Sequence, residues 1–461
     1  MAIITNALEK RGMQNSPLLA WMVSLSGGLL FFYEFIQLNM INAINAPLMK
    51  SFHIGAHGLG QLSSAYFFAN AGFLFFAGNI LDRSSVRKWI IIAMVLCTVG
   101  TLGFAMSSTV TEATIFRFVI GIGGSFCFLG GVRLASRWFP PRRMALLTGL
   151  LVTMAMIGGW LAQAPYIALV QMVGWRTATI YNGLLGVGLT AWIFLVIKDR
   201  PQGQEDMKDH ENKELKALGL WRAIKQVLVN RQNWFAGLYT CLMNLPIYLL
   251  GAMWGTLFLT QIHHFKPTDA GFIAGMVFTG TIFGSPVMGW ISDKIGNRRI
   301  PMIIGAILSF IVVLPIIYDT TLSFSALLAL FFALGFITSS QVISYPTVAE
   351  GNPRVLTGAA ISIVSMSVVL GGAIMQPISG WILDSYWNGK IVGGVHIYSL
   401  SAYQHAMLLF PAAFVLSLVL AFFLKETHCK RNDEEETLTA ADGHHTSENK
   451  AHLYEEECVE A

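Results

Sequence analysis

The sequence predicts an all-α membrane protein whose twelve transmembrane helices form two pseudo-symmetric six-helix halves. Three observations predict this fold class. Of the 461 residues, 54% are hydrophobic and only 12% are charged, whereas a soluble domain usually carries about 25% charged residues. The apolar residues gather into twelve long runs, and one loop motif occurs twice, once after the second run and once after the eighth.

Each run is long enough to cross a hydrocarbon core of roughly 30 Å, which takes about 20 helical residues. The predicted helices 1 to 12 are 17–46, 58–81, 89–108, 111–137, 144–170, 176–197, 234–262, 268–292, 300–318, 321–349, 355–383 and 401–424. Helix is the expected form, because an open sheet cannot satisfy its backbone in lipid and the runs lack the alternation of barrel strands. Run 1 is too long for a signal-peptide core, so we interpret it as helix 1.

The runs divide the chain into four parts. We expect an N-terminal half at 1–197, a linker at 198–233, a C-terminal half at 234–424 and a tail at 425–461. The linker is charged, and a short surface helix is predicted near 218–229. The tail is polar and low in apolar residues, which predicts disorder. Five cysteines, an odd number, indicate no disulfide framework, and no metal site or cofactor is predicted.

Lys and Arg concentrate on the cytoplasmic side of membrane proteins. If both termini are cytoplasmic, all but five of the 30 basic residues lie in inner segments or at inner helix ends. The exceptions are Lys50, Arg176, Lys266 and Lys390 in outer loops, and Arg117 within run 4. We therefore expect a multi-pass protein of the cell (inner) membrane with both termini in the cytoplasm. The net charge of +4 reflects this topology and gives no reason to expect nucleic-acid binding.

The repeated loop motif reads "GNILDRSSVRK" at 78–88 and "GWISDKIGNRR" at 289–299. It resembles the loop motif of the major facilitator superfamily, G-x-x-x-D-[RK]-x-G-x-[RK]-[RK]. The first copy has Ser85 where the family has glycine, whereas the second copy matches throughout. The resemblance covers roughly residues 17–425 and implies the superfamily fold, in which the two halves enclose a central substrate site.

In that family the loop is understood as a latch between the halves. The resemblance implies this role for Gly78, Asp82, Arg83 and Arg87 of the first copy and for Gly289, Asp293, Lys294 and Arg298 of the second. Topological anchoring alone is the alternative. "RFVIGIG" at 117–123 matches a further family pattern in helix 4, R-x-x-x-G-x-G. The antiporter signature of helix 5 is incomplete, because Ala164 precedes Pro165, and this argues against drug antiport.

Two ionisable residues lie deep inside predicted spans, Glu34 in helix 1 and Arg117 in helix 4. Such a residue costs roughly 2.5–3.5 kcal/mol to insert, so it usually faces a cavity or a partner. We expect the two at a similar depth. Glu34 then has three interpretations: structural partner of Arg117, proton carrier, or ligand of a cationic solute. Arg117 likewise has three interpretations: structural partner of Glu34, proton-relay group, or ligand of an anion.

Other polar residues recur at helical spacing in the predicted spans. The candidate substrate ligands are Tyr33, Glu34 and Gln37 in helix 1, Tyr66 and Asn70 in helix 2, Asn244 and Tyr248 in helix 7, and Gln341 and Tyr345 in helix 10. Single amides in membrane helices often serve as interhelical glue. Their shared middle depth nevertheless favours one polar cavity between the halves.

We predict a secondary active transporter, not an enzyme, that works by alternating access. Because the sequence has no G-x-x-x-x-G-K-[ST] loop, ATP is not expected to drive it directly. The first expectation is proton-coupled import of an amino acid, with a cationic one such as arginine favoured, coupled through Glu34 and Arg117. This follows from Glu34 and from a similarity to amino-acid importers of the superfamily in intracellular bacteria.

Three other functions stay open. They are organic-anion:proton symport with Arg117 as the ligand, drug or metabolite efflux by antiport, and a non-transporting receptor. A receptor would need a structured soluble domain, which neither the linker nor the tail has the apolar content to form. The expected partners are a small-molecule substrate, protons and the lipid bilayer, and the expected state is a monomer.

Overall fold

The computed structural model describes residues 17–139, 143–200, 227–352 and 356–429. The side chains of a few residues within these ranges, Asp82 and Arg83 among them, are not described. Most of the surface helix predicted at 218–229 lies outside the described residues, and so does the tail beyond residue 429.

The first half contains six helical spans in chain order. They are α1 Pro17–Phe52, α2 Ala56–Arg83, α3 Val86–Met106, α4a Val110–Gly124 with α4b Cys127–Trp138, α5a Met144–Leu161 with α5b Ala164–Val173, and α6 Trp175–Val196. α4a begins with a capping box, in which the Thr109 side chain accepts from the Glu112 backbone N–H and the Glu112 carboxylate accepts from the Thr109 backbone N–H. α1 continues to Phe52, beyond the predicted end at residue 46.

The second half repeats this plan with more interruptions. It contains α7a Arg231–Met243, a π-helical segment Pro246–Trp254, α7b Gly255–Gln261, α8 Pro267–Ile295, α9 Arg299–Tyr318, α10a Phe324–Thr338, a 3₁₀ segment Ser339–Ile343, α10b Ser344–Glu350, α11 Thr357–Ser385, and α12a Leu400–Met407 with α12b Leu409–Phe423. Between α11 and α12a, β1 Ile391–Val392 pairs antiparallel with β2 Val395–His396.

Among the described residues, eleven of the spans are long and apolar enough to cross a membrane. The twelfth, α2, is 28 residues long, which is also long enough to span the hydrocarbon core. The all-α membrane fold that the sequence predicts is therefore confirmed.

The two ends of the bundle differ in the contacts that they carry. At the hairpin end, which holds β1 and β2, the end of α11 contacts the start of α2 through Asp384 and Ala56. At the motif end, which holds both copies of the loop motif, residues just after α6 and α12b contact the starts of α3 and α9.

α8 and α10a approach each other more closely than side chains would allow. A Cβ atom built on Gly335 would lie 2.1 Å from the backbone oxygen of Val277. Small residues at helix interfaces in membranes permit such contacts, and van der Waals packing then stabilises the pair. Gly335 is therefore required for this contact.

We expect Gly335→Ala to lower stability by about 1–3 kcal/mol, because the added methyl group must displace backbone. The measurement is the Tm of the purified protein in detergent. Gly188→Ala is the matched control, since a Cβ at that position in α6 meets nothing within 4 Å. Equal Tm values for the two variants would contradict the tight α8–α10a contact.

Candidate functional site

The two charges predicted inside the spans lie together where α1, α2 and α4a meet. Arg117 is 0% exposed and Glu34 is 3% exposed. Arg117 Nη1 donates to the backbone oxygen of Gln37 at 2.7 Å, and the guanidinium carbon lies 5.2 Å from the centroid of the Tyr66 ring. Glu34 is near enough for the two charges to interact, but among the described residues the carboxylate and the guanidinium form no ion pair within 4.0 Å.

Several polar atoms of this pair and its neighbour have no hydrogen-bond partner in the described part of the chain. They are Glu34 Oε2, Arg117 Nε and Nη2, and both amide atoms of Gln37. A buried polar group without a partner costs roughly 1–3 kcal/mol. Because such groups are rare and these ones adjoin each other, they identify a place where an added solute or proton would find bonding partners.

Aromatic side chains connect this place to the second half. The Tyr66 ring packs edge-on against Phe67, and Phe67 packs edge-on against Tyr248, each at 5.1 Å between centroids. Asn70 Nδ2 donates to the Tyr66 hydroxyl at 3.1 Å. The fold thus brings together predicted residues from α1, α2, α4a and the π-helical segment of span 7.

The side-chain amides of Asn244 and Gln341 form hydrogen bonds with each other, so these groups are not free to bind a solute. Gln341 Nε2 donates to Asn244 Oδ1 at 3.0 Å, and Asn244 Nδ2 donates to Gln341 Oε1. The pair joins the end of α7a to the 3₁₀ segment of span 10. Tyr345, one turn further on, lies close to Tyr248. In this conformation the amide pair holds the second half together.

Tyr33 faces away from Glu34. Its hydroxyl donates to the backbone oxygen of Asn182 at 3.2 Å and to Thr101 Oγ1 at 3.4 Å, between α3 and α6. Successive helical residues differ in direction by about 100°, so Tyr33 and Glu34 cannot share a face. The fold does not bring this predicted ligand to the site.

A set of amides that was not predicted from the sequence joins the halves toward the hairpin end. Asn42 Nδ2 donates to Gln163 Oε1 at 2.7 Å, and Gln163 Nε2 donates to the Gly251 backbone oxygen at 2.9 Å. Asn45 Nδ2 donates to the Met253 backbone oxygen at 3.1 Å. Two signals could have found them: Asn39, Asn42 and Asn45 recur every three residues, and Gln163 lies just before Pro165 at the break in span 5.

The second copy of the loop motif forms a compact charged cluster. Gly296 ends α8 with φ +66, the left-handed region that glycine adopts without strain. Arg298 is buried and pairs with Asp293 and Glu350, each at 2.6 Å. The Glu426 carboxylate, just after α12b, accepts from the backbone N–H groups of Arg298 at 2.9 Å and Arg299 at 2.8 Å, which caps α9.

The first copy is built differently around Ser85. Ser85 has φ −66 and caps α3 by accepting from the Lys88 backbone N–H, so this turn needs no left-handed glycine. Asp199, just after α6, accepts from Ser85 Oγ and from the Arg87 backbone N–H, and it pairs with Arg137 at 3.1 Å. Asp199 and Glu426 thus have equivalent roles in the two halves.

The remaining motif residues lie at the same end. Lys294 Nζ lies 4.8 Å from the centroid of the Trp290 ring. Within the described part of the chain, a Cβ on Gly78 would contact only Leu129, and one on Gly289 would meet nothing within 4 Å. The side chains of Asp82 and Arg83 lie outside the described structure. A latch between the halves therefore stays a prediction.

Comparison with known proteins gives consistent matches. The family model described as Major Facilitator Superfamily matches residues 27–257 and 237–451. The chain is 25% identical over 396 residues to the membrane sensor protein UhpC of Salmonella typhimurium, covering 80% of this chain and 86% of that protein. It is 22% identical over 381 residues to the probable sulfoacetate transporter SauU of Cupriavidus necator, covering 77% and 85%.

A solved structure shows the same fold. It is a bacterial homolog of the human lysosomal transporter Spinster, in an inward-facing and unoccupied conformation. The TM-score is 0.71 at 16% sequence identity, and the match covers 89% of this chain and 97% of the other.

The amide pair of spans 7 and 10 can be tested by a double-mutant cycle. Asn244→Ala leaves the Gln341 amide buried and unpaired, and we expect a loss of stability of roughly 1 kcal/mol, in the range of hydrogen bonds between membrane helices. Asn244→Ala/Gln341→Ala should cost less than the sum of the single changes. Strictly additive Tm changes in detergent would contradict the pair.

The cap on α9 makes stability depend on pH. Burial alone would raise the pKa of Glu426, but hydrogen bonds from the backbone of Arg298, Arg299 and His428 hold the pKa of this carboxyl below its ordinary value of 4.5. The carboxylate therefore stabilises the fold above about pH 4.5, and this contribution is lost as the pH falls through the folded pKa. Glu426→Gln should lower the Tm at pH 7, and the difference from the wild type should shrink at about pH 4. A gap independent of pH would rule out this titration.

Proposed function

The chain belongs to the major facilitator superfamily of secondary transporters, and on this premise we propose that it carries a small organic monoanion together with one proton. Arg117 would bind the anionic group of the solute, and Glu34 would carry the proton. One observation carries the proposal: both groups are fully buried and hold unpartnered polar atoms without being bonded to each other.

Charge balance explains the coupling. With Glu34 ionised and Arg117 protonated, the empty site has no net charge. A bound monoanion alone would leave a net charge of −1, and a bound proton alone would leave +1. A net charge in a low-dielectric interior is costly. Only the empty site and the doubly loaded site are neutral, so these two states would change conformation most readily.

The same charge balance makes binding of the anion at Arg117 and binding of the proton at Glu34 depend on each other. A proton on Glu34 removes the negative charge that competes with the solute for Arg117, so protonation should tighten anion binding. By reciprocity, a bound anion strengthens proton binding at Glu34 to the same degree. The Gln37 amide and the hydroxyl groups of Tyr66 and Tyr248 would supply neutral contacts to the rest of the solute.

The choice of an anion has support outside the site. SauU is named as a probable transporter of sulfoacetate, an anion with two acidic groups, which would need two protons to keep the loaded site neutral. Arginine, the first expectation from the sequence, fits less well, because its net positive charge would leave the loaded site at +1.

A neutral amino acid is the second candidate. The unpartnered Nε and Nη2 of Arg117 and Oε2 of Glu34 together suit a zwitterion, whose carboxylate and ammonium groups would each find an opposite charge. Such a solute leaves the site neutral without a proton. The two candidates therefore differ in whether uptake consumes a proton gradient.

The direction of access follows from the expected topology. If both termini are cytoplasmic, the motif end faces the cytoplasm and the hairpin end faces outside. The hydrogen bonds of Asn45 and Gln163 to the second half would then close the outer side, giving an inward-facing state. In the opposite state the loop motifs at 78–88 and 289–299 would approach each other and act as the latch.

The test begins with a thermal-shift screen of monocarboxylates, dicarboxylates, neutral amino acids and polyamines against the purified protein. The strongest monoanionic hit is then used as substrate in proteoliposomes. We expect an inward proton gradient to drive its uptake and an imposed membrane potential to have little effect, because one anion and one proton carry no net charge.

Glu34→Gln separates the two roles of the pair. The loaded variant is neutral with an anion on Arg117, so exchange of labelled for unlabelled solute should persist. The site of the empty variant carries a net charge of +1, so the empty protein should change back to the outward-open state slowly. Net uptake driven by protons should therefore be lost.

Arg117→Gln should weaken binding of the solute roughly 10- to 100-fold, since charged hydrogen bonds contribute about 1.5–3 kcal/mol.

Glu112→Gln is the matched control, because Glu112 lies on the same helix as Arg117 but is exposed at its start. It should leave both uptake and exchange unchanged. Proton-driven uptake that survives in Glu34→Gln would remove Glu34 from coupling. Binding without any transport by the wild type would favour a sensor, the role for which UhpC is named.

A further inference from the structure

The start of α2 is capped by a carboxylate from the other half of the molecule. Asp384, at the end of α11, accepts from the backbone N–H of Ala56 through Oδ1 at 3.0 Å and from that of His57 through Oδ2 at 2.8 Å. The Tyr398 hydroxyl donates to Asp384 Oδ1 at 2.6 Å and also accepts from the Ala56 backbone N–H at 2.9 Å. Both oxygens of one side chain thus serve a helix that is 327 residues away in sequence.

α2 has no cap of its own. The residue before its first turn is Gly55, which has no side chain to accept a hydrogen bond, and the first turn holds no acidic residue. The free N–H groups and the positive end of the helix dipole favour a carboxylate at this point. A Cβ on Gly55 would lie 2.7 Å from Asp384 Oδ2, so the missing side chain leaves room for the cap from α11.

The surrounding contacts fix Asp384 in place. A Cβ on Gly380, one turn before Asp384, would lie 2.4 Å from the backbone oxygen of Ala56, so α11 and α2 touch directly. Tyr398 is buried, and its backbone N–H donates to Gln261 Oε1 at 3.0 Å. The carboxylate is therefore positioned by its own half, and it meets α2 across the boundary between the halves.

We infer that Asp384 is the lock of the hairpin end, a positioning residue that stabilises the state closed on this side by capping a helix of the opposite half. Separating the halves at this end must break two hydrogen bonds to a charged acceptor and leave the start of α2 uncapped. This inference rests on the alternating access in the proposed function. It adds a residue outside the central site that sets the balance between the two access states.

Distance measurement between spin labels tests the lock without a substrate. Cysteines introduced at Gln171 and Thr320 place one label on each half at the hairpin end, and both side chains are exposed. The background is the full chain with its native cysteines replaced, reconstituted in lipid nanodiscs. The distance distribution then reports the populations open and closed at this end.

Asp384→Ala should shift the distribution toward longer distances. We expect the ratio of closed to open molecules to fall roughly 5- to 30-fold, the effect of losing a helix cap. Asp384→Asn keeps one accepting oxygen and should give a smaller shift in the same direction. Tyr398→Phe, which removes the hydroxyl that supports the carboxylate, should also shift the distribution toward the open state.

Glu112→Gln is again the matched control, since Glu112 caps a helix at the same end but within its own half. It should not move the distances. If Asp384→Ala elutes as a folded monodisperse protein with an unchanged distribution, the lock is wrong, whatever happens to its Tm. Failure of the wild type to transport any solute would contradict the proposed function alone, because the spin-label populations are measured without transport.

Discussion

The strongest constraint on the interior of the bundle is a pair of opposite charges that are buried without being bonded to each other. Glu34 and Arg117 are supplied by different helices of the first half, and the backbone oxygen of Gln37 and the ring of Tyr66 hold the guanidinium in place. An interior of low dielectric tolerates the pair only while the sum of charges stays near zero. The site is therefore sensitive to any added charge, and this sensitivity is a physical basis for coupling one solute to another.

Lipid imposes a second constraint, since a broken helix must find other partners for its freed backbone groups. Spans 4, 5, 7, 10 and 12 are each interrupted, whereas α1 and α11 are continuous. In the π-helical segment of span 7, the backbone oxygens of Gly251 and Met253 accept from amides of the first half. The interruptions in spans 5 and 7 are thus also places where the halves meet, so a change in backbone geometry there alters the interface directly.

Much of the fold could be predicted from the sequence, because length and apolarity mark a membrane span independently of its neighbours. The similar depth of Glu34 and Arg117 could also be predicted from the sequence, because the depth of a residue in a membrane helix can be counted from the end of that helix. The partners of amides could not be predicted in this way. Asn244 and Gln341 bond to each other, Tyr33 faces α3 and α6, and Asp384 caps α2. Each depends on how helices far apart in sequence rotate and pack, which one sequence does not reveal. The role of Ser85 could not be predicted either, because this residue caps α3 at the position where the family motif has a glycine in a turn.

Asp199 and Glu426 have a consequence for how the molecule moves. Each lies just after the last span of its half and caps the third span of the same half, at the starts of α3 and α9. At the starts of α3 and α9, each set of six helices is therefore fastened by its own closing residue, whereas the start of α2 is capped from the other set. In the proposed alternating access, two such bodies would tilt against each other while these internal hydrogen bonds stay intact. The motion would then be resisted at the boundary between the halves, by contacts such as that of Asp384 with the start of α2.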